Sequence, residues 1–262
     1  MGDHVFVHAQ GSGVAPVVKS AVEIELMRKA GQILAKTHAI VGQMVEPGVS
    51  LLELDAAAEH VIRSEGATPS FKGFHGFPGT ICTALNSEVV HGIPDQRKLQ
   101  AGDIITIDSG ACWRCYHSDA ARTYIVGGEA THPERAKFSK TMYAALMAGI
   151  NKAHAGNRVG DISAAVQAVI DASPYSLVRE YGGHGLGKDL HEEPYIANYG
   201  KAEAGILLKT GMVLAIEPIV AMGSPNTQVL GDKWTVVTLD GSDAGQWEHF
   251  GVVQEDHFEI LC

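Results

Sequence analysis

An internal repeat is the sequence feature that most constrains the fold. Residues 99–108 (LQAGDIITID) align with residues 208–217 (LKTGMVLAIE), and Leu, Gly, Ile and a terminal carboxylate fall at identical offsets. The helix-start signals repeat at a second constant interval: Ser20 with Thr131, and Ser50 with Asp161. Because chance could supply one such match but hardly all of them, we predict duplicated halves, about residues 20–126 and 131–240. The carboxylates that end the two repeated segments would then approach a common centre.

Cap residues and apolar periodicity predict four helices. A capping box, in which a Ser or Thr side chain and a Glu three residues later satisfy each other's backbone N–H groups, marks a helix start. The predicted spans are Ser20 to the Glu46-Pro47-Gly48 stop, Ser50 to about Gly66, Thr131 to about His154, and Gly160 or Asp161 to about Ser173.

Runs rich in Ile, Val and Thr between turn residues predict the strands. They are TICTALN, DIITIDSGACW and ARTYIV in the first half, and GMVLAIEPIV, WTVVTLD, HFGVVQE and HFEIL in the second. We expect one α/β (α+β) domain over residues 20–262, with strands in the middle and four helices covering one side. Residues 1–19 contain GSG and show no periodicity, so we expect a flexible arm there.

Composition excludes several classes of protein. The formal net charge of −10 and the pI near 5.7 make a nucleic-acid backbone an unsuitable partner. No apolar run approaches the ~18–20 residues of a membrane span, and the N-terminus has no basic and apolar pattern of a secretory signal. We therefore expect a cytoplasmic protein that does not bind nucleic acid or membranes directly.

The cysteine pattern argues against a structural zinc site. Cys112 and Cys115 form a single CxxC, and only His117 lies nearby in the sequence, whereas structural zinc needs four ligands. We interpret the two thiols as reduced residues at the tip of a hairpin. Such a hairpin would also bring Asp108 and Asp119, which flank it, close together.

Four carboxylates and one histidine occupy short motifs at the ends of apolar runs: Asp108 in ITIDSG, Asp119 in YHSDAA, His184 in YGGHGLG, Glu217 in LAIEPIV and Glu248 in GQWEHFGVV. A lone acidic residue is usually a solvated surface group, but a buried carboxylate is costly unless something neutralises it. Two divalent cations would cancel four negative charges, and an oxygen-rich set with one imidazole suits a pair of first-row metals. The pattern predicts a two-metal hydrolase.

Five motifs in order along the chain resemble those of type I methionine aminopeptidases: HGIPD (91–95), D-x10-D (108 and 119), GGHGLGKDLHEEP (182–194), IEP (216–218) and WEH (247–249). The resemblance extends from about Ser20 to Leu261. It implies the pita-bread fold, in which two pseudo-symmetric halves enclose a dinuclear metal site. It also implies removal of the initiator methionine from nascent polypeptides with a small second residue.

The resemblance also implies the roles of individual residues. The five metal ligands would be Asp108, Asp119, His184, Glu217 and Glu248. Asp119 and Glu248 would bridge the ions, Asp108 would bind one of them, and His184 and Glu217 the other. Co, Mn, Fe and Zn all suit this ligand set. His91 and His191 correspond to the two catalytic histidines, and Glu217 is expected to move a proton from water to the leaving amine.

A methionine side chain needs an apolar pocket, and sulfur–aromatic contacts suit a thioether. We predict that Phe71, Phe74, Phe77, Cys82 and Trp234 form it. The alternative is that these aromatic residues are ordinary core or loop anchors. Relatives often carry Tyr or Cys at some of these positions, so the role of each phenylalanine is a separate hypothesis.

Three alternative functions are open at this point. Prolidase-like and aminopeptidase P-like peptidases share the five ligands but usually carry a large extra N-terminal domain. A non-catalytic peptide-binding relative would be expected to have lost ligands. Gly182-x4-Gly187-Lys188 approaches a phosphate-binding loop, but Asp189 replaces the required Ser or Thr. We expect a monomer that acts on peptide or nascent-chain N-termini; contact with the ribosome is left open.

Overall fold

The computed structural model describes residues 15–262, which contain four α-helices. They are α1 (Ala21–Gln43), α2 (Leu51–Ser64), α3 (Pro133–Ile150) and α4 (Val159–Asp171). Each helix coincides with a predicted one and ends slightly earlier than predicted. The four helices and the strands between them confirm the mixed α/β class.

The first two helices begin as the capping boxes predict. Ser20 Oγ accepts from Glu23 N at 3.4 Å, and the Glu23 carboxylate accepts from Ser20 N at 2.8 Å. Ser50 and Glu53 make the same pair of hydrogen bonds at the start of α2. Two backbone donors that the helix itself cannot satisfy are thereby bonded at each start.

The predicted starts of the other two helices are wrong by one or two residues. His132, and not Thr131, precedes α3, because Pro133 has a fixed φ and no N–H and therefore suits the first helical position. Helix α4 begins at Val159 rather than at Gly160 or Asp161. The Asp161 carboxylate lies inside the first turn and accepts from Arg158 N at 2.7 Å.

Residues 15–262 contain fifteen strands. They are β1 (Thr68–Pro69), β2 (Ile81–Leu85), β3 (Glu88–Val90), β4 (Ile104–Trp113), β5 (Tyr116–Ile125), β6 (Ser176–Leu177), β7 (Gly182–Gly185), β8 (Glu192–Ala197), β9 (Val213–Ile216), β10 (Ile219–Ala221), β11 (Thr227–Val229), β12 (Val236–Thr238), β13 (Ala244–Gln246), β14 (His249–Val253) and β15 (Phe258–Ile260). All pairs are antiparallel, and they form four sheets. A four-stranded sheet has the order β1-β4-β2 with β5 on β4, and a five-stranded sheet has the order β15-β14-β9-β7-β8. The others are β13-β10-β6 and β11-β12-β3.

The hairpin predicted around the CxxC is present. Strands β4 and β5 pair along their whole length and turn at Arg114 and Cys115, which both have positive φ. Cys112 is partly buried, Cys115 is exposed, and both thiols are free. The long ladder fixes the positions of the acidic residues within it.

In each half a buried cluster packs a helix against the strand that leads to a repeated carboxylate, and α1 also packs on β9 and β14 of the second half. In the first half, Leu51 and Leu54 of α2 share a buried cluster with Ile105 and Ile107 of β4. In the second half, Leu146 and Ile150 of α3 share one with Ile162 of α4 and with Leu214 and Ile216 of β9. The two strands that lead to the repeated carboxylates therefore have equivalent helical support. The predicted boundaries of the halves stay a prediction.

The predicted arm is described only in part. Its residues 1–14 lie outside the described residues. Val18 forms an isolated bridge with Met212, and Lys19 N donates to Gly211 O at 2.8 Å. Ordered contacts thus begin before the helix start at Ser20, and Lys19 belongs to the packed part of the protein.

Substituting Gly31 of α1 by alanine should destabilise the protein, although alanine is the better helix former. A Cβ at Gly31 would lie 2.5 Å from the carbonyl oxygen of Leu261 and 3.0 Å from the Phe250 ring. We expect a loss of about 1–3 kcal/mol and a melting temperature lower by several degrees. The control Gln32→Ala changes an exposed position of the same helix. Equal melting temperatures for the two variants would contradict the close packing of α1 against Leu261 and Phe250.

Candidate metal centre

Strands β4 and β5 place two of the predicted ligands side by side. Asp108 of β4 is paired with Ala121 of β5, and Asp119 lies two residues before Ala121. Since side chains two residues apart on a strand share a face, both carboxylates point to the same side of the hairpin. The eleven-residue interval read from the sequence therefore produces a carboxylate pair.

The second half provides an equivalent pair. His184 of β7 is paired with Ala215 of β9, and Glu217 follows two residues after Ala215. His184 Nε2 lies 3.5 Å from Glu217 Oε1 and 3.9 Å from Asp119 Oδ2. The imidazole is thus adjacent to one carboxylate from each half.

Glu248 joins the two pairs. It lies between β13 and β14, and its backbone N–H donates to Ala121 O at 2.9 Å. The next residue, His249, is paired with Ile216, which precedes Glu217. These two backbone contacts bring the buried Glu248 carboxylate between β5 and β9.

The five side chains and His191 form overlapping groups with metal-ligand spacing. In each of three groups the potential ligand atoms lie within 4.8 Å of one another: Asp108, Asp119 and Glu248; His184, Glu217 and Glu248; and Asp119, His184 and His191. All six residues line one cavity. The first two groups share Glu248, which is the arrangement required of a carboxylate between two neighbouring ions.

The backbone fixes the orientation of the His184 ring. Its Nδ1 lies 2.9 Å from the carbonyl oxygen of Gly185. Because a carbonyl only accepts hydrogen bonds, Nδ1 carries a proton, and Nε2 is the ring nitrogen that faces the carboxylates. A Cβ at Gly185 would lie 2.2 Å from the carbonyl oxygen of Glu193, so glycine is required at this close approach.

The donor set fits divalent cations. Among the described residues, Asp108 Oδ1, Asp119 Oδ1 and Glu248 Oε1 are buried without a hydrogen-bond partner. Buried polar atoms are almost always paired, so three such carboxylate oxygens facing one another call for a positive charge. Oxygen ligands with one imidazole are typical of Mn, Fe, Co or Zn sites.

Burial and mutual repulsion oppose ionisation of these carboxyl groups. Burial raises the pKa of Asp108 to about 7. Burial and then the charges of Glu248 and Asp108 raise the pKa of Asp119 well above its usual value. Burial and the neighbouring carboxylates likewise raise the pKa values of Glu217 and Glu248. A bound cation would reverse this preference.

The two predicted catalytic histidines line the same cavity. His91 follows β3 with a positive φ of 59°, a conformation that costs energy for a residue other than glycine. Burial lowers the pKa of His91 to about 3, so its imidazole is neutral at physiological pH. The His191 ring meets the His184 ring edge to face, with ring centroids 4.4 Å apart.

The predicted methionine-pocket residues form one cluster beside the carboxylates. Buried Phe71, Phe77 and Cys82 pack with Leu190, and Phe74, Ile93 and Trp234 pack against them. Phe71 and Cys82 line the cavity. Phe74 contacts the His191 ring, with centroids 5.4 Å apart, and Phe77 contacts Trp234 at 5.2 Å. The structure therefore brings all five together, two at the cavity wall and three behind or beside it.

Sequence reasoning missed several residues of the cavity wall. Gln246 Nε2 donates to Glu217 Oε2 at 3.0 Å, and Val90, Tyr181 and Ile219 also line the cavity. Gln246 could have been found, because it precedes Glu248 by two residues in an extended segment and alternation places both on one face. The other three carry no chemical signal in the sequence.

A cavity lined by two buried carboxylates, two partly buried ones and an imidazole ligand candidate defines the protein as a metal-binding enzyme of the hydrolytic class. The sequence model of metallopeptidase family M24 matches residues 25–260. The chain belongs to this family, and its fold is the pita-bread fold.

Individual relatives agree with the family match. Methionine aminopeptidase 1 of Bacillus subtilis is 46% identical over 94% of this chain and 98% of its own length. The crystal structure of methionine aminopeptidase from Rickettsia prowazekii superposes with a TM-score of 0.91 at 35% identity, covering 94% of this chain and 99% of that one. The Thermotoga maritima enzyme gives a TM-score of 0.91 at 36% identity with the same coverage.

Metal-free protein should become less stable as the pH rises. Unfolded carboxyl groups have pKa values near 4. In the folded state the pKa of Asp108 is about 7, and the pKa of Asp119 is also raised. Between these values the folded state binds more protons than the unfolded state, so the free energy of unfolding falls with increasing pH. We expect the melting temperature in chelator to fall between about pH 5 and 8, and Mn²⁺ or Co²⁺ to restore it at pH 8.

The matched variant for this measurement is Glu248→Gln, which removes one of the repelling charges and should flatten the pH dependence. A melting temperature in chelator that does not change with pH, or that metal leaves unchanged at pH 8, would contradict the electrostatic description of the site.

Proposed function

We propose that this protein removes the N-terminal methionine from peptides and nascent chains whose second residue is small. One observation carries the proposal: the cavity that holds the carboxylates and histidines is walled on one side by Phe71 and Cys82, in front of a larger aromatic cluster. An apolar, polarisable pocket beside a hydrolytic centre suits a thioether side chain. The similarity to methionine aminopeptidases over nearly the whole chain supports the same activity.

In this proposal Asp108, Asp119, His184, Glu217 and Glu248 would hold two divalent ions. Asp119 and Glu248 would serve both ions, Asp108 would serve one, and His184 and Glu217 would serve the other. The overlapping groups of potential ligand atoms support this division. Bound divalent ions lower the pKa of water and polarise a carbonyl oxygen. Co, Mn, Fe and Zn are all compatible with the ligand set.

The protein's own residues supply proton transfer and orientation. Glu217 accepts a proton from water and passes it to the leaving amine, and the hydrogen bond from Gln246 to Oε2 keeps this carboxylate oriented. His191 donates to the substrate carbonyl oxygen as it gains negative charge. His91, neutral because burial lowers its pKa to about 3, contacts the scissile amide nitrogen.

The alternative activities have less support. A prolidase-like or aminopeptidase P-like peptidase would use the same ligands, but the similarity to methionine aminopeptidases extends over 98% of the length of the Bacillus subtilis enzyme. A non-catalytic peptide-binding relative is disfavoured because all five ligands and both histidines are present at one cavity. A phosphate-binding loop at Gly187 and Lys188 is disfavoured because Asp189 stands where such a loop requires Ser or Thr.

Peptide N-termini are the partners that this function requires. None of the four helices in residues 15–262 has the length and apolar character that a bilayer crossing needs. In this proposal the enzyme is monomeric and cytoplasmic and meets nascent chains through their N-termini, and the net charge of −10 disfavours direct binding to RNA.

Metal-loaded protein should release methionine from a Met-Gly peptide and only poorly from a Met-Leu peptide. Glu217→Ala should abolish release, because it removes both a metal ligand and the proton carrier. The control Glu255→Ala changes an exposed glutamate and should retain full activity. The assay is chromatographic detection of free methionine across added metals. Retained activity in Glu217→Ala, or equal turnover of both peptides, would reject the proposal.

His191→Ala should keep nearly all bound metal while turnover falls by about 10²–10³-fold, since an oxyanion donor acts in the transition state. His191 lies within ligand distance of Asp119 and His184, so metal content decides between a donor and a ligand. Metal analysis and kcat are measured together, with exposed His257→Ala as the control. Loss of metal from His191→Ala would mean that His191 is a ligand.

A further inference from the structure

Lys19 and Glu192 form a buried ion pair outside the cluster of carboxylates. Lys19 Nζ contacts Glu192 Oε2, and the side chains are only 3% and 13% exposed. A charged lysine is seldom buried to this extent unless it is paired. Removing both charges from water is costly, and this cost offsets much of the stability that the ion pair adds.

The lysine end of the pair is anchored on the strand that leads to Glu217. Lys19 N donates to Gly211 O at 2.8 Å, and Val18 bridges Met212. Strand β9 begins at the next residue, Val213, and ends immediately before Glu217. The backbone of the segment that carries the Lys19 ammonium group is therefore fixed next to the strand that leads to Glu217.

The glutamate end lies next to His191. Glu192 is the first residue of β8 and is paired with Gly185, which follows His184. Between β7 and β8 runs a loop of residues 186–191, which we call the β7–β8 loop. Its last residue is His191, directly before Glu192. A shift of Glu192 would therefore move the His191 side chain.

The pair also fits closely against the backbone of the β7–β8 loop. A Cβ at Gly187 would lie 2.4 Å from Glu192 Oε1 and 2.5 Å from Lys19 Cε. Asp189 N donates to Glu192 Oε1 at 3.4 Å, and His117 N donates to Gly187 O at 2.8 Å. The ion pair, the glycine and strand β5 thus hold the loop from three sides.

We propose that Lys19 is a positioning residue for His191: through its ion pair with Glu192 it holds the β7–β8 loop so that the His191 imidazole lies over the site. This role rests on the proposed function, in which His191 donates to the substrate. Displacing a transition-state donor by about 1 Å can cost about 10²-fold in rate. Lys19 itself does not line the cavity and contacts no proposed ligand.

Lys19→Met keeps most of the side-chain volume and removes the charge. We expect kcat for a Met-Gly peptide to fall about 10–100-fold, with KM within about 2-fold and metal content unchanged. In a His191→Ala background the same substitution should lower kcat by less than about 2-fold, because the residue through which it acts is gone. Glu192→Gln removes the negative charge of the same ion pair, and the Cβ of Gly187→Ala would crowd both of its side chains. Both variants should show the same fall in kcat as Lys19→Met.

Two further measurements separate positioning from general loss of stability. Arg28→Met breaks the ion pair between α1 and Glu259 and should lower the melting temperature without lowering kcat. Hydrogen exchange monitored by mass spectrometry should become faster in residues 186–191 of Lys19→Met and should stay unchanged there in Arg28→Met. This second measurement does not depend on activity.

Losses of kcat that multiply in the Lys19→Met/His191→Ala double variant would overturn the proposal, as would unchanged exchange in the β7–β8 loop. A wild-type protein that releases no methionine would instead overturn the proposed function, and hydrogen exchange would still decide whether the ion pair holds the loop.

Discussion

The mutual repulsion of four carboxylates, two buried and two partly buried at one cavity, is the constraint on which the rest of the structure depends. Asp108, Asp119, Glu217 and Glu248 face one cavity, and burial raises the pKa of each above its usual range. Such a cluster is tolerable only when cations compensate it or when the fold is stable enough to hold protonated groups together. The long β4–β5 hairpin and the helix pairs packed behind each half provide that rigidity.

The two halves use the same strand-pair pattern, but one half places two aspartates at the cavity and the other places a histidine and a glutamate there. In each, an alanine is paired with one functional residue and lies two positions from the other: Ala121 relates Asp108 to Asp119, and Ala215 relates His184 to Glu217. Pro218 accounts for a local difference. It cannot donate a ladder hydrogen bond, so β9 ends before Glu217, whereas β4 continues past Asp108. Glu217 consequently lies at a strand end, where its carboxylate accepts a hydrogen bond from Gln246.

Local signals were sufficient for much of the fold. The Ser20 and Ser50 capping boxes, the four helices and the β4–β5 hairpin followed from residues a few positions apart. Strand β7 was not predicted, because Gly-Gly-His-Gly has no preference for extended structure and is held there by pairing with β8 and β9. Thr131 and Pro133 both favour a helix start, and α3 begins at Pro133, one residue later than a cap at Thr131 would place it.

The residues of the site, like the elements of the fold, were only partly predictable from the sequence. The carboxylates and His184 could be predicted because each follows or interrupts an apolar run and carries chemistry that burial penalises. Lys19 could not, because it belongs to no motif and its partner Glu192 is distant in the sequence. Only tertiary structure shows that the segment before α1 is part of the site's support.

Metal binding and histidine placement are physically separable in this architecture. His184 is oriented by the carbonyl of Gly185, a contact that needs no metal. The β7–β8 loop is held by Lys19, Glu192 and Gly187, whose contacts do not involve the carboxylate cluster. The carboxylates alone require cations to lie close together while ionised. The protein therefore positions His184 and the histidine of the β7–β8 loop in advance through its backbone and one ion pair, and leaves to the metal only the charge that no side chain in the cavity compensates.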